Sequence, residues 1–405
     1  MHVIVVGAGI IGLSTAWFLR RSGAAVTIVD PAPASGATHA AAGMLAPAAE
    51  VAWGQSPLYP LMRASAELYP EFAAAVANAT GHDLGHSYAE TLVCAGDRAD
   101  LASLRELTDL QQANGFETTL LSGSTARELE PSLGPGVCGA VRIPGDHAID
   151  PRRLSAALLS TVSAHLVTQR VTGLVRSGQR TCGVDLDDGR RLEADQVVIA
   201  AGAGCNEITG ALSLPLREVW GEVIRLRLPE SSPPLLTRTV RGLVNARPIY
   251  VVPRPDGELV LGATSREDGR GGLSAGGVHR LLQDGERLVP GILDAEITDI
   301  TTRARPGSPD DVPIIGRIDP GCVISTGYFR HGILLAPFGG RLTAELVYEL
   351  ASDSGVTCNE DSGWLPDGAL DAVSPERFTT PAHIRPPDTD LNFTAPYATT
   401  ARSRS

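Results

Sequence analysis

Residues 2–30 read HVIVVGAGIIGLSTAWFLRRSGAAVTIVD, and this stretch decides the fold. Val3 to Val6 is an unbroken apolar run, as a strand buried on both faces requires. Gly7, Gly9 and Gly12 follow at G-x-G-x-x-G spacing. Leu13 to Arg21 then reads as a helix that Gly23 ends. Val26 to Val29 is a second apolar strand, and it closes on Asp30. Glycines at these positions let the amides of the turn, Ile11 among them, approach a pyrophosphate at the positive end of the helix. Asp30 can accept from ribose hydroxyls and would repel a 2′-phosphate. Three glycines can also pack a plain strand–helix turn. The acidic residue at the end of the next strand favours dinucleotide binding.

Working outward, the chain does not continue as a nicotinamide-binding domain would. Residues 31–50 form a loop of small residues, and the sheet resumes only at Val197, with Ala201 and Gly202 closing that strand. Such an interruption is more typical of FAD proteins, whose cofactor stretches across one long domain. Helices are expected over 58–80, 99–114, 151–165 (capped by Asp150) and 277–288, with a closing helix over 337–351. Asp187-Asp188-Gly189 marks a hairpin, 298–303 and 323–325 are strand candidates, and residues 213–265 alternate as strands.

The composition narrows the chemistry. None of the 405 residues is lysine, so all 34 basic residues are arginines; this excludes Schiff-base catalysis, a Walker lysine and a lysine base. The net charge of −12 argues against nucleic acid and anionic membranes as partners. The six cysteines form no C-x-x-C pair, and we expect reduced thiols in a cytoplasmic protein. The apolar start lacks the basic flank of a signal peptide and reads as buried core, not as a membrane span. At roughly 150 residues per domain the length suits two domains. Residues 353–405, rich in Asp, Pro, Ser and Thr, are expected to form a weakly ordered tail that packs along the surface or stays mobile.

Further motifs carry chemistry. Thr38, His39, Gly43, Met44 and Leu45 lie in a run small enough for a flat ring or phosphates to approach, although a lone loop histidine is more often simply solvated. Arg305 sits on a rigid Pro-Gly segment, and a pre-organised guanidinium suits a bidentate carboxylate. Gly327-Tyr-Phe-Arg-His-Gly-Ile-Leu-Leu-Ala-Pro337 leads into the last helix, whose N-terminus could stabilise a reduced flavin. No metal-ligand spacing and no Gly-x-Ser-x-Gly elbow occurs.

Together the fingerprint, Ala40 to Leu45, Ile249 to Pro253 with Val260 to Thr264, Arg303 to Gly307 and Gly327 to Pro337 resemble the D-amino acid oxidase superfamily, most closely its glycine oxidase branch of the thiamine pathway. The likeness covers residues 1 to about 352. It implies an α/β (α+β) FAD-dependent oxidoreductase in two parts. A discontinuous Rossmann-like FAD-binding domain would comprise 1–50, 146–212 and 303–352. A substrate domain built on an antiparallel sheet would comprise 51–145 and 213–302. By the same resemblance Arg305 clamps the substrate carboxylate, Tyr250 hydrogen-bonds it and Arg330 lies beside it. Gly43, Met44 and Leu45 contact the flavin ring, and Gly332, Ile333 and Leu334 its pyrimidine edge. Thr38 and His39 face the phosphates, and Val171 the adenine. His331 replaces the asparagine common in the family, and Phe338-Gly-Gly340 replaces a more usual Ala-Thr helix start; both are expected at the flavin edge.

The implied reaction is oxidative deamination of glycine, sarcosine or a small D-amino acid by hydride transfer to noncovalent FAD. Oxygen would be the acceptor and hydrogen peroxide a product. A D-amino acid dehydrogenase, a secondary-amine oxidase, a tailoring oxidase for a larger amino acid and a non-catalytic flavin-binding protein are the alternatives. The sequence leaves a homo-oligomer open.

Overall fold

The computed structural model describes residues 1–210, 213–351 and 363–378. Its organising element is a six-stranded sheet. Strands 314–319, 322–326, 196–199, 2–6, 25–29 and 166–167 lie in that order, all parallel except the first. The opening unit forms as read: strand His2–Val6, helix Ile10–Arg21, strand Ala25–Val29. The helix is apolar nearly all round because it is covered twice, by the sheet and by the helix Ala336–Ala351. Gly340 permits that second contact, since a Cβ there would meet Ser14 backbone at 2.8 Å.

The second body is an eight-stranded sheet in the order 296–307, 217–227, 258–262, 247–253, 239–244, 91–95, 139–143, 119–122. Every neighbouring pair is antiparallel except 239–244 with 91–95. Strands 171–177, 180–186 and 191–193 form a separate antiparallel sheet at the expected hairpin. Helices Leu58–Thr80, Arg98–Ala113, Pro151–Val162 and Ala275–Leu288 fall where periodicity places them. Asp150 caps the third through the amides of Arg152 and Arg153.

Two features bear on the expected domain bounds and tail. The strand Glu296–Gly307 stays paired with Arg217–Arg227 along its whole length, so the eight-stranded sheet extends past residue 302 to Gly307. Within the expected tail, residues 363–378 are packed: Leu365, Ala369 and Val373 are buried against the core. Trp364 meets Phe338, and Arg377 pairs with Asp310 at 2.9 Å. Three aliphatic side chains on one short segment suffice for this, although the segment is polar on average. The remainder of 353–405 lies outside the described residues. Cys94, Cys138, Cys182, Cys205 and Cys322 are free thiols, and no described helix is long and apolar enough to cross a membrane.

Candidate active site

The parallel sheet presents its C-terminal strand ends to one face of the eight-stranded sheet, and a cavity of about 870 Å³ lies between them. Crevices at the carboxyl ends of parallel strands are the usual ligand sites of such sheets. One wall is built from glycine. Gly7 has φ +105°, and a Cβ there would collide with Ala200 backbone; one at Gly12 would collide with the Gly7 carbonyl. The turn can therefore close only with glycine at both places. A Cβ at Gly9 would meet only Thr38 Oγ1, at 3.5 Å. Thr38 Oγ1 accepts from Ile10 N–H at 3.0 Å and so caps the helix from a distant loop. Asp30 accepts from the amides of Ala8 (2.6 Å) and Ala32 (2.7 Å), which fixes its carboxylate at the cavity edge. Gly7, Gly9, Ile11, Asp30, Thr38, Gly43, Met44, Val171, Ala201, Gly202, Gly332, Ile333 and Leu334 all line the cavity.

Three expected contacts do not. Gly12 packs helix on strand. Leu45 pairs with His147 in a two-residue ladder and is buried; side chains alternate along a strand, so Met44 faces the cavity and Leu45 turns away. His39 is held outside: Arg152 lies 2.9 Å from its Nε2 and also bonds its carbonyl, while pairing with Asp299 at 2.7 Å. Burial and then Arg152 lower the His39 pKa, so its ring is poorly suited to carry positive charge towards phosphates. Phe338, Gly339 and Gly340 also lie off the cavity: Phe338 is fully buried, and the two glycines pack on Tyr328 and Ser14. His331 does line it, with neither ring nitrogen hydrogen-bonded. Burial, then Arg330, brings the His331 pKa down to about 3.

The opposite wall, on the eight-stranded sheet, is built from charge. Tyr250 lies directly across from Gly262, and a Cβ at Gly262 would collide with its hydroxyl. Arg305 lies over Gly221, where a Cβ would collide with the guanidinium. Both polar groups thus rest flat on backbone that glycine leaves bare. Arg305 Nη1 donates to the Thr264 carbonyl at 3.2 Å, and among the described residues no carboxylate pairs with it. Burial lowers its pKa, yet a guanidinium stays protonated. Arg330 joins it at this end.

Sequence reading missed Glu50 and Arg241, which also line the cavity. Arg241 Nη1 donates to Glu50 Oε1. Arg330 Nε lies 2.8 Å from Glu50 Oε2 as an ion pair without hydrogen-bond alignment, so that oxygen lacks a donor. Burial acts to raise the Glu50 pKa, but Arg241 and Arg330 overcome it and bring it down to about 2. The segment before Glu50 is anchored by buried Asp146, which accepts from the amides of Ala48 (3.1 Å) and Ala49 (2.9 Å). Arg254 anchors the neighbouring loop by donating to the carbonyls of Ala42 and Ile149.

A glycine-rich turn at a helix start, a fixed acidic residue at the next strand end and a facing wall with an unpaired guanidinium suit a dinucleotide flavin beside an anionic substrate. The family model for FAD dependent oxidoreductases matches residues 2–346. The chain belongs to this family. It is 33% identical over 356 residues to a glycine oxidase of Geobacillus kaustophilus, covering 85% of this chain and 92% of that protein. A bifunctional protein ThiO/ThiG of Nostoc sp. is 32% identical over 359 residues; the match covers 87% of this chain, which spans about half (53%) of that longer relative. The crystal structure of Geobacillus kaustophilus glycine oxidase superimposes with a TM-score of 0.79 at 32% identity, covering 89% of this chain and 97% of that one. An iminodiacetate oxidase from Chelativorans sp. BNC1 gives a TM-score of 0.77 at 30% identity, over 85% and 95% of the two chains.

Proposed function

We propose that this FAD-dependent oxidoreductase oxidises the C–N bond of a small amino acid such as glycine, sarcosine or a small D-amino acid, giving an imine that hydrolyses to a 2-oxo acid. The observation that carries this reading is Arg305: a guanidinium lining the cavity without a carboxylate partner, with the Tyr250 hydroxyl on the same wall. Leaving such a charge unpaired is costly, so the arrangement is poised for an anion. A substrate carboxylate held there in bidentate fashion turns its Cα towards the glycine-built wall, and orientation of this kind lowers the barrier substantially.

The glycine turn, Asp30, Thr38, Met44 and the Gly332–Leu334 segment would hold the cofactor. No cysteine lines the cavity among the described residues, in keeping with noncovalent attachment. FAD held there would supply a two-electron acceptor for the hydride leaving the substrate, with oxygen as the final acceptor and hydrogen peroxide as its product. The cluster of Arg241, Arg305 and Arg330 disfavours an ammonium beside it, so the amine enters the reaction neutral and no protein base is required at carbon.

Anaerobic addition of glycine, sarcosine and small D-amino acids to the FAD-loaded protein tests the reading. At least one should bleach the flavin, with a 2-oxo acid and ammonia (methylamine from sarcosine) recovered after air is admitted. A flavin that none of them reduces would contradict it.

A further inference from the structure

Arg241, Arg305 and Arg330 gather at one end of the cavity, where Glu50 is the carboxylate that answers them among the described residues; Arg303 also lines the cavity but donates to the Ser35 and Thr302 carbonyls. Arg305 has no acid partner among the described residues, while Arg241 and Arg330 share Glu50, each meeting a different oxygen. A guanidinium carries five N–H donors. Among the described residues the Arg241 guanidinium makes no further hydrogen bond and the Arg330 guanidinium makes none; Arg330 only pairs with Glu50 and lies over the Phe329 ring, 5.8 Å from its centre. Glu50 therefore spaces the two groups side by side and leaves their other donors free to meet a ligand. A substrate carboxylate on Arg305 leaves one excess positive charge, and a second carboxylate would balance it.

The register places that second group. Arg241 stands directly opposite Tyr250 on the adjacent antiparallel strand. Neighbouring strands are about 4.8 Å apart, close to the separation of the two carboxyl carbons in a short dicarboxylate. Building on the function proposed above, we infer that Arg241 and Arg330 form a second anion subsite, and that the preferred substrates are small amino dicarboxylates. The second carboxylate lies on the nitrogen substituent or on a short side chain.

Oxygen-uptake kinetics of the FAD-loaded protein compare glycine, sarcosine and D-alanine with iminodiacetate, D-aspartate and D-glutamate. The best dicarboxylate should exceed the best monocarboxylate in kcat/KM by roughly tenfold or more, the usual worth of a charge-assisted contact. Arg241→Gln should remove most of that ratio, and Arg241→Lys should retain part of it. Iminodiacetate leading assigns the second carboxylate to the nitrogen; D-aspartate or D-glutamate leading assigns it to the side chain. An unreactive probe separates the subsite from the chemistry: glutarate should perturb the flavin absorbance of the parent protein at roughly tenfold lower concentration than that of Arg241→Gln, with acetate much less affected. Equal use of both substrate classes, or a glutarate affinity that Arg241→Gln leaves unchanged, would overturn the subsite. An unchanged ratio with a lowered Tm would reduce the Arg241–Glu50 pair to a brace for the wall. Absence of all turnover would overturn the function proposed above, and glutarate binding would still decide the subsite.

Discussion

The two walls of the cavity use glycine for opposite ends. On the parallel-sheet side Gly7 and Gly12 remove side chains so that backbone approaches backbone and a helix start meets the cavity. On the antiparallel side Gly221 and Gly262 remove side chains so that Arg305 and Tyr250 can lie flat on the sheet. In the function proposed above the first wall would recognise a cofactor through amides and close approach. The second would recognise a substrate through fixed charge. Changes in one wall should therefore be separable from changes in the other.

Gly12→Ala gives the largest expected effect. Its Cβ would collide with the Gly7 carbonyl, so the turn must open, and the purified protein should lose nearly all bound FAD by absorbance. Gly9→Ala has room and should keep the parent Tm; an equal loss of folding in both would break the distinction. Gly221→Ala strikes the other wall. It displaces the Arg305 guanidinium and should lower kcat/KM by roughly 100-fold, as misplacement of about 1 Å can, while FAD content stays at the parent level.

Below these lies a pH effect on the loop that carries Glu50. Burial pushes the Asp146 carboxyl up to about 7, against its two amide hydrogen bonds. Between its ordinary 3.8 and about 7 the unfolded chain has ionised and the folded one has not, so this group lowers stability as pH rises through that interval. Glu50 has the opposite sign: with a folded value of about 2 against 4.5, its contribution is present above 4.5 and fades as pH falls towards 2. Asp146→Asn should flatten the fall of Tm between about pH 4 and 7, and an unchanged slope would exclude Asp146 as its source. The smallest effect lies far from both walls. Val373→Ala, fully buried in the segment 363–378, should cost about 2 kcal/mol in urea unfolding and leave kcat/KM unaltered.

The same comparison explains what was legible in the sequence. The first wall is local: strand, glycine turn, helix and Asp30 lie within residues 2–30, and their spacing states their geometry. Arg305 and Tyr250 were legible only through the motifs around them. The partners that complete the second wall are distant. Glu50 and Arg241 are 191 residues apart and meet because a loop anchored by Asp146 crosses over the eight-stranded sheet, which no periodicity reports. His39 and Leu45 sit in the cavity-lining loop and turn away from the cavity, because one binds Arg152 and the other falls on the inward side of a short strand. Residues 363–378 read as tail because their three buried aliphatic side chains are diluted among polar neighbours.

The central claim is that an unpaired guanidinium on the antiparallel wall orients an amino acid towards a flavin held by the other. It is tested most directly by anaerobic single-turnover reduction of the parent protein and Arg305→Ala, each loaded with FAD and mixed with the best amino acid found. The account predicts full FAD content in both and a reduction rate at least about 100-fold slower in the variant at low substrate concentration. Equal rates at equal FAD content would contradict it.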